Sequence, residues 1–244
     1  MNAWKAALAS IKRNPATFVD DNATKLALCI IEPRDHPNLG PVLWQAAAVY
    51  SYGVSLHVFH GSSNFAFAQD ACRSFQNVHF HDLGVANLTT REYSNILTSH
   101  QFWLTFSSEF VLILQTDSLL LRPIEERFFE YDYVGAPWDG PVLKNVPSEF
   151  QVGNGGFSLR RTAFMLECTK HSLKAHPEDT FFSAIAYRKG KLPPQRIAME
   201  FSVEQIYYPR PIGFHQAYEF ITEEQMTTIL KTRQEGSVTH QLSH

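Results

Sequence analysis

The chain has 244 residues, enough for one large domain or two small ones. Hydrophobic residues make up 44% and charged residues 18%, which excludes a disordered chain. Its 21 Lys and Arg against 24 Asp and Glu leave a formal net charge of −3, which speaks against a nucleic-acid binder held by phosphate contacts.

Three cysteines, Cys29, Cys72 and Cys168, stand at unrelated spacings and make neither a disulfide framework nor a zinc site. A reducing cytoplasm is the expected home. The 19 phenylalanines point to aromatic packing or to stacking surfaces for a ring-bearing ligand.

From the N-terminus, MNAWKAALASIKRNP has no long apolar core after its charges, so no signal peptide is expected. It reads as a short packed or mobile helix, and residues 1–24 as an N-terminal helical extension. Its lysines and Trp4 leave peripheral contact with a membrane surface open. No apolar run approaches the roughly 18 residues of a transmembrane segment, so none is expected.

The first strong strand is Lys25 to Glu32, KLALCIIE, followed by the polar break PRDHPNLG. A helix is predicted from Pro41 to Gly53, a strand from Val54 to His60 and a helix from Phe65 to Phe75. A short strand follows over Val78 to His81. Thr90 to Phe106 reads as one amphipathic helix, opened by Thr89 or Thr90 with Glu92 near its first turn. Then comes VLILQTDSLLLRP, Val111 to Pro123, which places a carboxylate within a run that otherwise reads as a buried strand. Strands alternating with helices predict a mostly parallel sheet covered on both faces, with ligands beyond the carboxyl ends of the strands.

The second half is less regular. Tyr131 to Trp138 (YDYVGAPW) is a short strand meeting a Gly-Ala-Pro turn, and Asp139 to Phe150 is a loop. VGNGGFSLRR is a glycine turn entering a strand, with a helix from Thr162 to Lys174 after it. His176-Pro177-Glu178-Asp179 opens another helix, closed by Lys189 to Pro194. Short strands near Ala198 to Val203 and Pro211 to His215 precede a C-terminal helix, Glu223 to Arg233, and a frayed tail. Residues 25–221 form the expected main domain and 222–244 a C-terminal helix and tail.

Four groups of residues could carry chemistry. An isolated buried carboxylate is costly, so Asp117 needs a partner; it reads equally as a turn residue or as a site. Thr116 and Ser118 flank it with hydroxyls, an oxygen set that suits a hard divalent cation. Gly155 and Gly156 allow close backbone approach to a ligand, and Arg160 and Arg161 are candidates to hold phosphates. Glu178 and Asp179 suit a helix N-terminus as such, but one of them could equally be a general base. Of the histidines, His215 alone is a ligand candidate, while His57 and His79 sit in strands without an evident partner. Tyr133, Trp138 and Phe157 read as sugar-stacking or core residues, with core the expectation for Phe157.

Read together, IIEPRDHPNL, SLHVFHGSSN, VLILQTDSLLLRP, YDYVGAPW, VGNGGFSLRR, PEDTFFS and FSVE resemble the GT-A class of glycosyltransferases. The likeness is greatest to a glycosyltransferase-like family catalogued as a domain of unknown function. It covers most of Lys25 to Tyr218. It implies a single GT-A-like (Rossmann-like) domain, a mixed and mostly parallel sheet flanked by helices. It also implies sugar transfer from a nucleotide-sugar donor, UDP-linked by expectation, to the hydroxyl of a glycan or glycoconjugate acceptor.

By that resemblance Asp117 stands at the metal-binding position of a DxD motif, with His215 and Ser118 beside the same Mn2+ or Mg2+. Asp179 stands as the catalytic base of an inverting enzyme, with Glu178 in reserve. Glu32 and Arg34 stand where base and ribose are held, and Thr116, Gly155 and Gly156 among the donor contacts. Thr116-Asp117-Ser118 offers one carboxylate where DxD offers two, which leaves a metal-independent enzyme open.

Two rivals remain at this stage. A sugar nucleotidyltransferase would carry a basic glycine loop after strand one, and IIEPRDHPNLG has one late glycine and two prolines. A non-catalytic carbohydrate- or nucleotide-binding protein of the same fold is the second, and the presence of Glu178, Asp179 and His215 counts mildly against it. A dehydrogenase is disfavoured because no GxGxxG follows the first strand.

Overall fold

The computed structural model describes residues 2–13, 25–50, 54–170 and 177–239. The predicted helix end at Gly53, the helix residues 171–174, His176 and the tail from 240 lie outside the described residues, as do residues 14–24 of the N-terminal extension.

Helix α1 (Ala3–Ser10) comes first, and β1 (Leu26–Glu32) opens the sheet with all seven residues buried. Then follow α2 (Leu39–Val49), β2 (Val54–His60), α3 (Phe65–Ala71) and β3 (Val78–Asp82). Next are α4 (Thr90–Leu97), α5 (His100–Trp103), β4 (Phe110–Leu114) and β5 (Ser118–Leu120). The second half holds β6 (Tyr133–Pro137), β7 (Val152–Arg161), α6 (Thr162–Cys168) and α7 (Glu178–Lys189). It ends with α8 (Gln195–Phe201), β8 (Ser202–Val203), β9 (Gly213–His215) and α9 (Glu223–Thr239).

Six strands form one sheet in the order β3-β2-β1-β4-β7-β6. The first four run parallel, and β7 runs antiparallel to both β4 and β6, so the mixed, mostly parallel sheet predicted from the sequence is present. Alternate residues of β1 feed different cores. Leu26, Leu28 and Ile30 pack on one face, and Ala27, Cys29 and Ile31 on the other. A strand buried on both sides must be apolar at every position, which is why KLALCIIE reads as a continuous run. All three cysteines are free and buried.

The Gly-Ala-Pro segment expected as a turn lies within β6, and four longer expectations change. The predicted helix over Thr90 to Phe106 is two. Its start is as expected, a reciprocal capping box in which Thr89 Oγ1 accepts from the Glu92 amide at 3.2 Å and Glu92 Oε2 accepts from the Thr89 amide at 2.7 Å. It breaks because Thr98 Oγ1 donates back to the Ser94 carbonyl, Ser99 is extended, and the buried Trp103 indole donates to the Leu97 carbonyl at 2.6 Å.

The run Val111 to Leu121 is also split. β4 ends at Leu114, and β5 leaves for a second, three-stranded sheet in the order β5-β9-β8. Third, VGNGG is no turn but the first half of β7. It reaches past the end of β4, whose Leu114 pairs with Phe157, and pairs there with β6 alone, with register shifts. Fourth, Ala198 to Phe201 is helical, with the Pro194 carbonyl accepting from the Ala198 amide; only Ser202 and Val203 are strand.

His57 and His79, unpartnered in the sequence, partner each other. Their rings stack at 4.5 Å, and His57 Nδ1 lies 3.1 Å from His81 Nε2 across β2 and β3. Burial first, then the two neighbouring rings, pushes His57 down to about 3. No helix among the described residues is long and apolar enough to cross a membrane.

Candidate functional site

A cleft of about 350 Å³ opens at the carboxyl ends of β1 and β4. Its walls are the end of β1 with Glu32 and Arg34, the start of α4, the turn Gln115 to Asp117, and His215 with Gln216. This is the crevice that a parallel sheet leaves beyond its strand ends.

The turn is built locally. Ser118 Oγ donates to the Gln115 carbonyl at 2.8 Å and accepts from the Gln115 amide at 3.0 Å. The Ser118 side chain, expected beside a metal, is therefore spent on the turn and fully buried. Asn38, at the start of α2, donates to the Thr116 carbonyl at 3.0 Å and pins the turn from outside. Thr116 and Asp117 are left facing the cleft.

β5 and β9 pair with Ser118 opposite His215, and this register brings His215 to Asp117. His215 Nε2 lies 3.3 Å from Asp117 Oδ1, and His215 Nδ1 lies 3.7 Å from Glu204 Oε2. Burial opposes charge on this imidazole, yet the two carboxylates outweigh it and hold His215 at about 9. Burial also works against ionised Asp117, but His215 and Gln216 hold its carboxyl below the usual range. Gln216 contributes twice: its side chain donates to Asp117 Oδ2 at 2.7 Å and its backbone amide to the Asp117 carbonyl at 3.0 Å. It does so from a left-handed backbone, φ 46°, a conformation that costs a non-glycine residue ~1–3 kcal/mol.

Asp117 Oδ1, both ring nitrogens of His215 and Glu204 Oε2 are buried without a partner in hydrogen-bond geometry among the described residues. Buried polar atoms are normally satisfied, so this group is where a ligand would fit. Oδ1 and Nε2, at 3.3 Å, are spaced as neighbouring ligands of a divalent cation with bonds of ~2.1 Å would be. Glu204 behind Nδ1 is the carboxylate that commonly orients a metal-bound histidine. A cation would have to displace the proton that His215 carries. The described residues form no cluster of three or more His, Cys, Asp or Glu with the spacing of a metal site. An ion held by this pair would therefore have to take its other ligands from bound phosphate and water.

At the other end of the cleft Glu32 and Arg34 bind each other. Arg34 donates to both Glu32 oxygens, at 2.7 and 2.8 Å, and its own amide donates to Oε1 at 3.0 Å. The carboxylate is buried while the Arg34 side chain is half exposed, so the pair presents guanidinium to the cleft. Asn64 holds this rim, donating to the Glu32 and Arg34 carbonyls.

Gly155 and Gly156, adjacent on β7, face opposite sides. A Cβ on Gly156 would lie 2.2 to 2.5 Å from the His215 ring. One on Gly155 would lie 2.5 Å from Glu178 Oε1 and 3.3 Å from the Asp179 Cβ. The glycines are needed for the approach of side chains from both faces, and they join the two halves of the site.

Glu178 and Asp179 start α7 and differ sharply. Glu178 is buried and receives Arg160 Nη2 at 3.0 Å. Asp179 accepts from the Thr180 amide at 2.6 Å and keeps partial exposure. Burial, then the charge of Glu178, pushes Asp179 up to about 7; Glu204 adds to the rise from the His215 side.

Arg160 and Arg161 do not reach the cleft. Arg160 is enclosed, and Arg161 is tied to Asp132, to Glu109 and to the Phe129 carbonyl. Tyr133, Trp138 and Phe157 are core residues, as expected for Phe157. Sequence reasoning missed three contributors. Glu204 lay unassigned within FSVE, Gln216 is one residue beyond the chosen histidine, and Asn38 announces itself only as a helix start.

No curated protein matches the chain. The crystal structure of S. aureus TarS 1–349 is similar to it with a TM-score of 0.45 and 15% identity, over 70% of this chain and 57% of that one. The chain thus spans little more than half the length of that structure. The family model described as "Protein of unknown function (DUF5672)" matches residues 74–215, more than half of the chain and the stretch from β3 to His215. The chain belongs to that family.

Proposed function

We propose that the protein transfers a sugar from a nucleotide-sugar donor to an acceptor hydroxyl on a GT-A-like fold. The observation that carries this reading is the Asp117–His215 pair, two buried ligand-type atoms 3.3 Å apart without hydrogen-bond partners, set in a cleft at the carboxyl ends of parallel strands. A bound Mn2+ or Mg2+ would supply Lewis-acid stabilisation to the departing diphosphate. Asp117 and His215 would hold that ion, with Glu204 orienting His215. The Arg34 guanidinium, fixed by Glu32, supports base and ribose at the far end, and a UDP-linked donor is the reading we adopt.

Asp179 serves as the base. The acceptor oxygen bonds to the anomeric carbon as the bond from that carbon to the diphosphate oxygen breaks. The bonding pair leaves with the diphosphate, and the hydroxyl proton passes to Asp179. Attack opposite the leaving group inverts the anomeric centre. A carboxylate raised to about 7 is matched to proton transfer near neutral pH. The acceptor is a glycan or glycoconjugate.

A thermal-shift screen of nucleoside diphosphates and nucleotide-sugars, with and without manganese, tests this reading. A ligand that binds only the folded chain raises the melting temperature by mass action. The expected result is a rise with uridine nucleotides that needs manganese and is lost in Asp117→Ala. No rise with any nucleotide would overturn the transferase reading.

A further inference from the structure

Arg160 is the most completely enclosed charge among the described residues, with no exposed surface. Three aromatic rings surround its guanidinium: Tyr133 at 5.0 Å, Phe182 at 5.5 Å and Trp103 at 6.0 Å. Its Nε donates to Ser158 Oγ at 2.9 Å, and Nη2 donates to Glu178 Oε1 at 3.0 Å and, more weakly, to the Gly155 carbonyl at 3.4 Å. Nη1 is buried without a hydrogen-bond partner.

One side chain thus ties the glycine edge of β7 to the first residue of α7. For stability alone this is a poor choice, because a buried ion pair often gains nothing over apolar residues of similar volume. What it achieves is placement. Glu178 is locked, Asp179 follows it directly in the chain, and the Asp179 Cβ lies where a Cβ on Gly155 would come within 3.3 Å.

We infer that Arg160 and Glu178 are a positioning pair for Asp179, which hold it at the Gly155 edge and set the pH at which it takes a proton. The inference rests on the reading of Asp179 as the base. Asp179 also sits in a helix N-terminus and accepts from the Thr180 amide, both of which favour its ionised form. Against them stand burial and then the charge of Glu178, which Arg160 fixes in place, while the charge of Arg160 itself favours the ionised form of Asp179.

The other groups around α7 are few. β7 contributes Arg160, β6 the buried Tyr133, and the segment after β8 contributes Glu204. From α4, the hydroxyl of the half-buried Tyr93 is buried near Glu178, Glu92 is taken by its capping box, and Arg91 lines a groove with Pro177. The Glu167 carboxylate of α6 pairs with Lys170 on the surface. Glu178 is therefore the charge whose removal should move Asp179 most.

The experiment is a carboxyl-carbon NMR titration of 13C-aspartate-labelled protein, with Asp179→Asn to assign the signal. In the wild type the Asp179 midpoint is expected near 7. In Glu178→Gln, which keeps the side-chain shape, it is expected to fall toward the ordinary carboxylate range. A wild-type midpoint already in that range would overturn the inference without any variant, so a Glu178→Gln chain that fails to fold does not shelter it. An unchanged midpoint in a folded Glu178→Gln chain would overturn it too.

Neither readout needs a donor. If the midpoints behave as expected but no nucleotide-sugar is bound, the transferase reading fails while the positioning pair stands. If transfer is observed with an ordinary Asp179 midpoint, the reverse holds. Where transfer is measured, the acid limb of kcat should move down in pH with the NMR midpoint, which a purely structural role for Glu178 would not produce.

Discussion

The two faces of the glycine edge at Gly155 and Gly156 hold carboxylates in opposite circumstances. On the Gly156 side, Asp117, His215 and Glu204 crowd together with buried atoms that meet no hydrogen-bond partner. On the Gly155 side, Glu178 is answered by Arg160 at 3.0 Å. Both groups are buried, and both stand beside a residue type that catalysis uses. The difference teaches that burial does not identify a functional carboxylate. Satisfaction separates them: Glu178 meets Arg160 in hydrogen-bond geometry, whereas Asp117 Oδ1 and the His215 ring face each other at 3.3 Å outside it and keep those atoms for a ligand.

Removing the carboxylate that Arg160 meets should have the largest effect on folding. Glu178→Ala leaves Arg160 buried without its anion and is expected to cost ~3–5 kcal/mol of folding stability, read by urea unfolding. Asp117→Ala should invert the pattern. Transfer is expected to fall ~10²-fold or more, with manganese-dependent nucleotide binding lost, while the stability cost, from Gln216 and a His215 that can shed its proton, stays below that of Glu178→Ala at ~1–3 kcal/mol. Equal stability losses in the two variants would erase the distinction.

Gly156→Ala sharpens it next, since the new methyl meets the His215 ring. Displacing that ring should lower turnover by ~10-fold to ~10²-fold, visible as weakened manganese binding in calorimetry. The pH dependence then addresses the other face. With Asp179 at about 7, kcat should fall tenfold for each pH unit below that value and level off above it. The linkage has the matching sign. The folded chain holds this proton more tightly than the unfolded one, so the associated stability is present at acid pH and is lost as pH rises toward and through 7. An acid limb near 4 would remove Asp179 from the role. The smallest effect on function belongs to Ser118→Ala, where two turn hydrogen bonds worth ~1 kcal/mol each disappear and metal affinity is unchanged.

The resemblance carried by the motifs named Asp117, His215 and Asp179, and the structure brings the first two together. The residues by themselves could not separate Glu178 from Asp179, because both suit a helix N-terminus; the resemblance put Asp179 first, and the structure gives Glu178 a partner in Arg160. The resemblance placed Ser118 on the metal because a hydroxyl beside an aspartate is a plausible ligand. The hydroxyl instead closes the turn that lets β5 leave the main sheet. It read GNGG as a turn because glycine runs usually are turns, whereas here glycine serves the close packing of side chains on both faces of a strand.

Local pattern alone determined the α/β class, the parallel strands and the capping box of α4, since each depends on residues within one turn or one strand of each other. The continuous apolar runs of β1 and β4 left no alternative to burial on both faces. Only tertiary structure decided what each polar residue meets. The β5–β9 register sets Asp117 against His215 and Glu204, and the span from β7 to α7 gives Glu178 to Arg160. Those contacts join residues far apart in the chain, and a sequence pattern carries no record of the partner that a buried charge will find.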